Sequence, residues 1–147
     1  MLTISKARDE DFTAAQRLVE DCHLPLDGLR ECWRDAYVAR IDGKIVGFAA
    51  LENFGERGLL RSVAVSSKAR RGGFGRKLVD AILADARQSG MQEIYLLTQT
   101  AADFFARFYQ FESIFRNEMP GDVQRSVESV SACPVSAQSM RLALVQG

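Results

Sequence analysis

Arg70-Arg71-Gly72-Gly73-Phe74-Gly75 lies between a β-rich run, 59–65, and a stretch of helical periodicity, 74–89. Three glycines in four positions let backbone N–H groups come close to a ligand, and the start of the following helix adds a partial positive charge. Together they make an anion site, with a phosphate or pyrophosphate as the expected guest. A glycine turn with a solvated basic approach is the plain alternative. The segment is not a P-loop, because no Gly-Lys-Ser/Thr follows. Nor is it the dinucleotide fingerprint, because the glycines do not fall as Gly-x-Gly-x-x-Gly and no acidic residue ends the next strand.

Working outward, Leu78, Val79, Ile82, Leu83 and Ala86 recur at helical steps after the loop, and Gly90 is placed to stop that helix. Ile94–Thr98 is a short, almost wholly apolar run of the kind a buried strand shows, and 101–109 reads as an aromatic-rich helix. The unit 59–98 is thus strand, helix, strand, long enough for a parallel crossover. Upstream, 36–41 and 44–51 flank Asp42-Gly43, a strong hairpin signal. Residues 2–6 alternate as a strand, Asp9 is the expected cap of a helix ending near His23, and Pro25 and Gly28 frame a short helix or loop over 26–33. Near the end, 120–127 reads as a short helix and 139–145 as a closing strand with an exposed edge, which makes a homodimer reasonable. The fold class is α/β, one domain over 1–147, with a mixed central sheet of six to seven strands flanked by helices.

Composition removes several function classes. The 147 residues are 47% hydrophobic and 26% charged, an ordinary balance for a globular domain. With 19 basic and 19 acidic residues, no global field draws the protein to nucleic acid or anionic lipid, so neither is an expected partner. No apolar stretch approaches the roughly 20 residues that span a bilayer. The first residues lack the charged start and long apolar centre of a secretory signal, and the expected compartment is the cytoplasm. Cys22, Cys32 and Cys133 form no Cys-x-x-Cys pair and His23 is the only histidine, so no metal is expected.

The pattern Arg/Gln-x-x-Gly-x-Gly, present as Arg70, Gly73 and Gly75, resembles the signature of the GNAT family of acyl-CoA-dependent N-acetyltransferases, and the order of elements resembles that family over essentially the whole chain. The segments 58–65, Leu96-Leu97-Thr98, Phe104-Phe105-Ala106-Arg107 and Ser131-Ala132-Cys133-Pro134 look like the small GNAT proteins associated with arsenic resistance. The resemblance implies acetyl-CoA as cosubstrate, its pyrophosphate resting on backbone amides of Arg71, Gly72, Gly73, Phe74, Gly75 and Arg76, with Arg70 of the signature also counted as cofactor-binding. Val63, Ala64 and Val65 would hold the pantetheine arm as a neighbouring strand would, one amide facing the thioester carbonyl as an oxyanion donor. Thr98 would reach the cofactor from the next strand.

The acceptor side is written in fewer residues. Many family members carry an acid near the position of Arg61, and arginine is no base, but its planar fork suits carboxylates. Arg61 with Ser62 therefore implies an anionic acceptor, the alternative being an ion pair with Glu52 or another acid. Trp33 is a candidate wall of the acceptor pocket or a packing residue. Glu52 is the candidate general base or an exposed structural acid. The family often has a tyrosine five residues before the aromatic of a Gly-Phe or Gly-Tyr pair. Counting from Phe104-Phe105 with one extra residue allowed, that position falls on Phe105, which leaves Tyr109 as the candidate acid, or as plain packing. The implied reaction is acetyl transfer to the primary amine of a small, anionic, amino-acid-like molecule, such as an organoarsenical or phosphinic glutamate analogue. A non-catalytic acyl-CoA-binding module is the alternative.

Overall fold

The computed structural model describes residues 2–129 and 137–144, without the side chains of Lys68, Arg70, Arg71 and 127–129. The chain runs β1 (Leu2–Lys6), α1 (Phe12–Asp21), β2 (Ala36–Ile41), β3 (Lys44–Asn53), β4 (Arg57–Val65), α2 (Phe74–Gln88), β5 (Glu93–Thr98), α3 (Ala102–Tyr109), β6 (Glu112–Ile114), α4 (Gly121–Ser129) and β7 (Gln138–Ala143). The strands form a seven-stranded mixed sheet ordered β1-β2-β3-β4-β5-β7-β6, in which β4 and β5 are parallel and the other neighbours antiparallel.

The hairpin between β2 and β3 closes on Asp42 and Gly43, both at positive φ (50° and 82°), the pairing a two-residue turn between twisted strands demands. Helix α2 buries its expected stripe, Leu78, Val79, Ile82, Leu83 and Ala86, against Ala49, Leu51, Leu60, Ile94 and Leu96 of the sheet. It stops in a Schellman pair: Gly90 at φ 83° donates to the Arg87 carbonyl and Met91 to the Ala86 carbonyl. The opposite face is covered by α1 and the 24–35 segment, which pack Val19, Leu29 and Trp33 on Val38, Phe48, Ala50 and Ala64. Helix α4 lies on Leu59 and Tyr95 through Val123, with Met119 beside it.

Two expectations need correcting here. Strand β7 sits between β5 and β6, so the outer strands are β1 and β6, and Ser139–Arg141 is paired on both sides where an exposed edge for a homodimer was expected. The residue before α1 is Asp11 rather than Asp9, and it makes no side-chain capping bond to the helix: its carboxylate accepts from the Arg8 N–H at 2.8 Å across a 3₁₀ turn and pairs with Arg40 of β2 at 2.5 Å. The three-residue β6, too short to leave a periodic signal, was not expected at all. Helix α1 ends with His23 at φ 60°, Leu24 donating to the Val19 carbonyl, so the one histidine is a helix stop.

Candidate active site

Strand β4 builds the site by leaving its neighbour. It pairs with β5 at Arg57–Glu93, Gly58–Ile94 and Leu59–Tyr95, and no further. From Leu60 onward its inner side remains paired to β3, up to Val65–Gly47, while the side toward β5 has no strand partner. A wedge-shaped gap therefore opens beside Val63, Ala64 and Val65, lined by backbone groups that an extended ligand can meet.

A bulge at Ser62 sets which side chains face which way. Ala50 opposes Arg61 and Phe48 opposes Ala64, so Ala49 spans both Ser62 and Val63, and Ser62 takes φ 59°. Without the extra residue, strict alternation would turn Ala64 toward α2. With it, Val63 packs on the α2 side and Ala64 is buried on the α1 side. Ser62 itself is buried, and its hydroxyl accepts from Arg61 Nε at 3.1 Å.

Beyond Val65 the backbone makes a 3₁₀ turn over Ser67–Gly72, then Gly73 at φ 73° begins α2. Among the described residues no side chain caps this helix, so the first-turn N–H groups of Phe74, Gly75 and Arg76 remain for an anion. The surroundings suit a close ligand. A Cβ built on Gly73 would meet nothing within 4 Å, and one on Gly75 would meet only Val65 Cγ2 at 3.7 Å. Gly72 has a different reason to be glycine, because a Cβ there would strike the Phe74 ring at 2.6 Å. Thr98 lies at the end of β5, where its Oγ1 accepts from the Ala101 N–H at 3.0 Å and helps to start α3.

On the α1 and α4 face, beside the same strand, is a cavity of about 570 Å³. Glu52 and Arg61 line it from β3 and β4, Asp27 and Glu31 from the 26–32 loop, and Arg125 and Ser126 from α4. Arg61 Nη1 donates to Glu52 Oε1 at 2.9 Å, and Ser126 Oγ hydrogen-bonds the other carboxylate oxygen. Arg61 Nη2 reaches the Pro25 carbonyl at 3.4 Å. Gly28, at φ 77°, passes so close that a Cβ would stand 3.0 Å from Arg61 Nη1. Each nitrogen of Arg61 is thus already engaged by the protein, and the Glu52 pair is the alternative its sequence position had left open. Cys32, buried nearby, donates to the Leu29 carbonyl, and burial pushes its thiol up to about 11.

The structure does not bring Trp33 or Tyr109 to this cavity. Trp33 stacks on Phe48 with centroids 5.4 Å apart and meets Phe12 edge-on at 5.0 Å, its Nε1 buried without a hydrogen-bond partner. It is a core residue. The Tyr109 hydroxyl is 2.7 Å from Asp80 Oδ1 and 3.0 Å from the Arg76 carbonyl, both on α2, and burial first, then Asp80, raise its pKa. Tyr109 lines a separate hollow with Gln110 and Arg141. The inserted residue is also corrected. Helix α3 runs regularly to Tyr109, and Gln110, at φ 61°, takes the left-handed position that a glycine usually holds. Five residues before Phe111 stands Ala106, so neither count finds a hydroxyl there. Arg125 and Ser126 were missed because a nine-residue helix after a Pro-Gly pair carries no catalytic pattern of its own.

Residues 3–111 match the model of the Acetyltransferase (GNAT) family. Over 81 residues the chain is 33% identical to the amino-acid acetyltransferase of Neisseria meningitidis serogroup A, taking in 54% of this chain and 18% of that protein. An uncharacterized N-acetyltransferase of Chlorobaculum tepidum is 26% identical over 151 residues, 97% of this chain and 94% of the other. Among solved structures, N-acetylglutamate synthase from Neisseria gonorrhoeae, complexed with coenzyme A and N-acetyl-glutamate, has a TM-score of 0.85 at 22% identity, over 99% of this chain and 36% of that one. Rv2747 from Mycobacterium tuberculosis, in complex with CoA and NLQ, has a TM-score of 0.80 at 27% identity, over 97% and 99% of the two chains. The chain thus spans under a fifth of the Neisseria meningitidis protein and about a third of the Neisseria gonorrhoeae one.

Proposed function

The chain belongs to the GNAT acetyltransferase family, and from that premise we propose that it transfers acetyl from acetyl-CoA to the primary amine of a small, amino-acid-like acceptor. The observation that carries this reading is the parting of β4 from β5 beyond Leu59 and Tyr95, on the strand that runs toward the uncapped start of α2 at Gly73. Relatives named for amino-acid acetylation, and similar proteins solved with CoA, support it.

The cosubstrate supplies an acetyl group activated as a thioester. Backbone N–H groups of Gly73, Phe74, Gly75 and Arg76 hold the pyrophosphate, with Arg70, Arg71 and Gly72 leading into them. The free side of Val63–Val65 holds the pantetheine arm, and an N–H of that strand stabilises charge on the carbonyl oxygen. Thr98 keeps its hydroxyl proton for the cofactor from across the gap. Glu52 retains a lone pair on each oxygen beyond those given to Arg61 and Ser126, and it takes the amine's proton directly or through water. Arg61 and Ser62 act by fixing Glu52. No acid is needed for the departing thiolate, a tolerable leaving group with a pKa of about 8.5.

The finer reading makes the acceptor an organoarsenical or phosphinic glutamate analogue. Its support is the sequence resemblance of segments such as 58–65 to arsenic-resistance GNAT proteins, and Cys133 lies outside the described residues. The test mixes the protein with acetyl-CoA and a panel of amino acids and follows free thiol, beside calorimetry with CoA. Thiol release with an amino acid is expected. Tight CoA binding without release on any amine would leave the binding module instead. The cavity requires nothing but a small molecule, and no helix among the described residues is long and apolar enough to cross a membrane.

A further inference from the structure

The cavity over Glu52 contains more charge than the acetyl-transfer reading has used. Its cations are Arg61 and Arg125. Arg61 has only 9% of its side chain exposed, and its three nitrogens donate to Ser62, Glu52 and Pro25. A carboxylate entering the cavity would have to displace Glu52 to use it. Arg125 differs on each count. Its side chain is exposed, it lies on the α4 wall, and among the described residues no ion pair engages it. Asp122, one turn earlier, is drawn instead toward Arg57, 3.9 Å away.

The helix that carries Arg125 is anchored. Arg125 Nη1 lies over Gly121, 3.3 Å from where a Cβ would stand, and the next residue, Ser126, hydrogen-bonds Glu52. Helix α4 is thereby tied to the floor of the cavity, and Val123 is fully buried on the sheet side. Across the opening, the 26–32 loop contributes Asp27 and Glu31. The cavity is therefore acidic on its loop wall, while its helical wall carries Arg125 beside Asp122, whose carboxylate is drawn toward Arg57, with the Arg61–Glu52 pair between the two walls.

We propose that Arg125 is the specificity residue for the acceptor, binding a free carboxylate of an amino-acid substrate whose amine points to the acidic side and Glu52. This rests on the acetyl-transfer reading above. It moves recognition of the acceptor's anion from the central strand to α4, where the planar guanidinium can meet a carboxylate through two parallel hydrogen bonds.

The experiment compares acetylation of free amino acids with that of their α-carboxamides, in the unaltered protein, Arg125→Gln and Arg125→Lys. Removing a hydrogen bond to a charged group costs roughly 10- to 100-fold, so the acid-over-amide ratio of kcat/KM should fall by that factor in Arg125→Gln. The Lys variant should recover part of it, because a point charge replaces the fork. Arg125 is exposed on its helix, so the fold tolerates both changes. An unchanged ratio in Arg125→Gln, or an equal fall for acids and amides, overturns the assignment alone. No thiol release from the unaltered protein with any amine overturns the acetyl-transfer reading, and the assignment with it.

Discussion

Arg61 on β4 and Glu52 on β3 form an ion pair of 2.9 Å in which only 9% and 18% of the two side chains are exposed. The two are near neighbours across antiparallel strands, Arg61 opposing Ala50 and Glu52 opposing Leu59. Removing one partner of a buried pair leaves an uncompensated charge, which typically costs about 3–5 kcal/mol. Arg61→Met is therefore expected to lower stability by at least about 2 kcal/mol once partial exposure is allowed for. Adding Glu52→Leu should restore most of that loss. Urea unfolding of the singles and the double variant gives the coupling, and an additive double variant would show the pair to be energetically idle.

The two glycines of the loop should separate fold from ligand. At Gly75 an added methyl meets only Val65 at 3.7 Å, so Gly75→Ala is expected to unfold at the same or higher urea, alanine being the better helix former. Its affinity for CoA should fall about tenfold or more, because the methyl occupies the approach to the N–H groups. Gly73→Ala should lose about 1–2 kcal/mol of stability from φ 73° alone. Calorimetry with CoA on both variants checks this, and unchanged affinity in Gly75→Ala would remove the helix start from the site.

Tyr109→Phe is expected to leave kcat within about twofold, well short of the 10²–10⁴-fold typical of a lost general acid. The hydroxyl donates to groups on α2, and burial and Asp80 keep it protonated. Its loss should show instead as a small destabilisation, about 1 kcal/mol, the usual net worth of a hydrogen bond.

Asp11 supplies a pH dependence of stability. Its hydrogen bond with Arg40 and that from the Arg8 N–H outweigh burial and hold its carboxyl below the usual value of 3.8. A depressed folded-state pKa contributes stability that is complete above the unfolded value and is lost as pH falls through the folded one. The stability advantage over Asp11→Asn should therefore be constant from pH 7 to about 5 and shrink below pH 4. Urea titrations at pH 3, 4, 5 and 7 test this, and a gap that widens on acidification would mean that the Asp11 carboxyl is not held down by Arg40.

Periodicity made nearly every long element legible. The apolar stripe of α2, the Asp42-Gly43 turn and the parallel crossover were in the sequence because one-face burial and positive φ leave residue-type signatures. The glycine loop was legible in part for the same reason: Gly73 stands at φ 73°, which few residues other than glycine adopt. The acceptor side was not. That Arg61 would be saturated by Glu52, Ser62 and Pro25 depends on residues 9, 1 and 36 positions away converging, which no local pattern encodes. Trp33 and Tyr109 were ambiguous because an aromatic ring on an amphipathic element suits a pocket wall and a core equally. The end of α3 was legible, but Gln110 hid the turn after it, because the left-handed position was filled without glycine and the count to Phe111 read as one residue too long.

The divergence of β4 and β5 reaches beyond catalysis. It gives the sheet an opening in its middle, where the backbone ladder joins β1–β4 to β5, β7 and β6 only at 57–59 and 93–95, while the α2 core packs across both parts. Backbone amides facing that opening are a template for any extended chain, as those of an outer strand are. A bound pantetheine arm would act as the missing strand, stitching the halves and protecting Val63–Val65 from hydrogen exchange. If the arm binds there, preparations stripped of CoA are expected to self-associate before loaded ones.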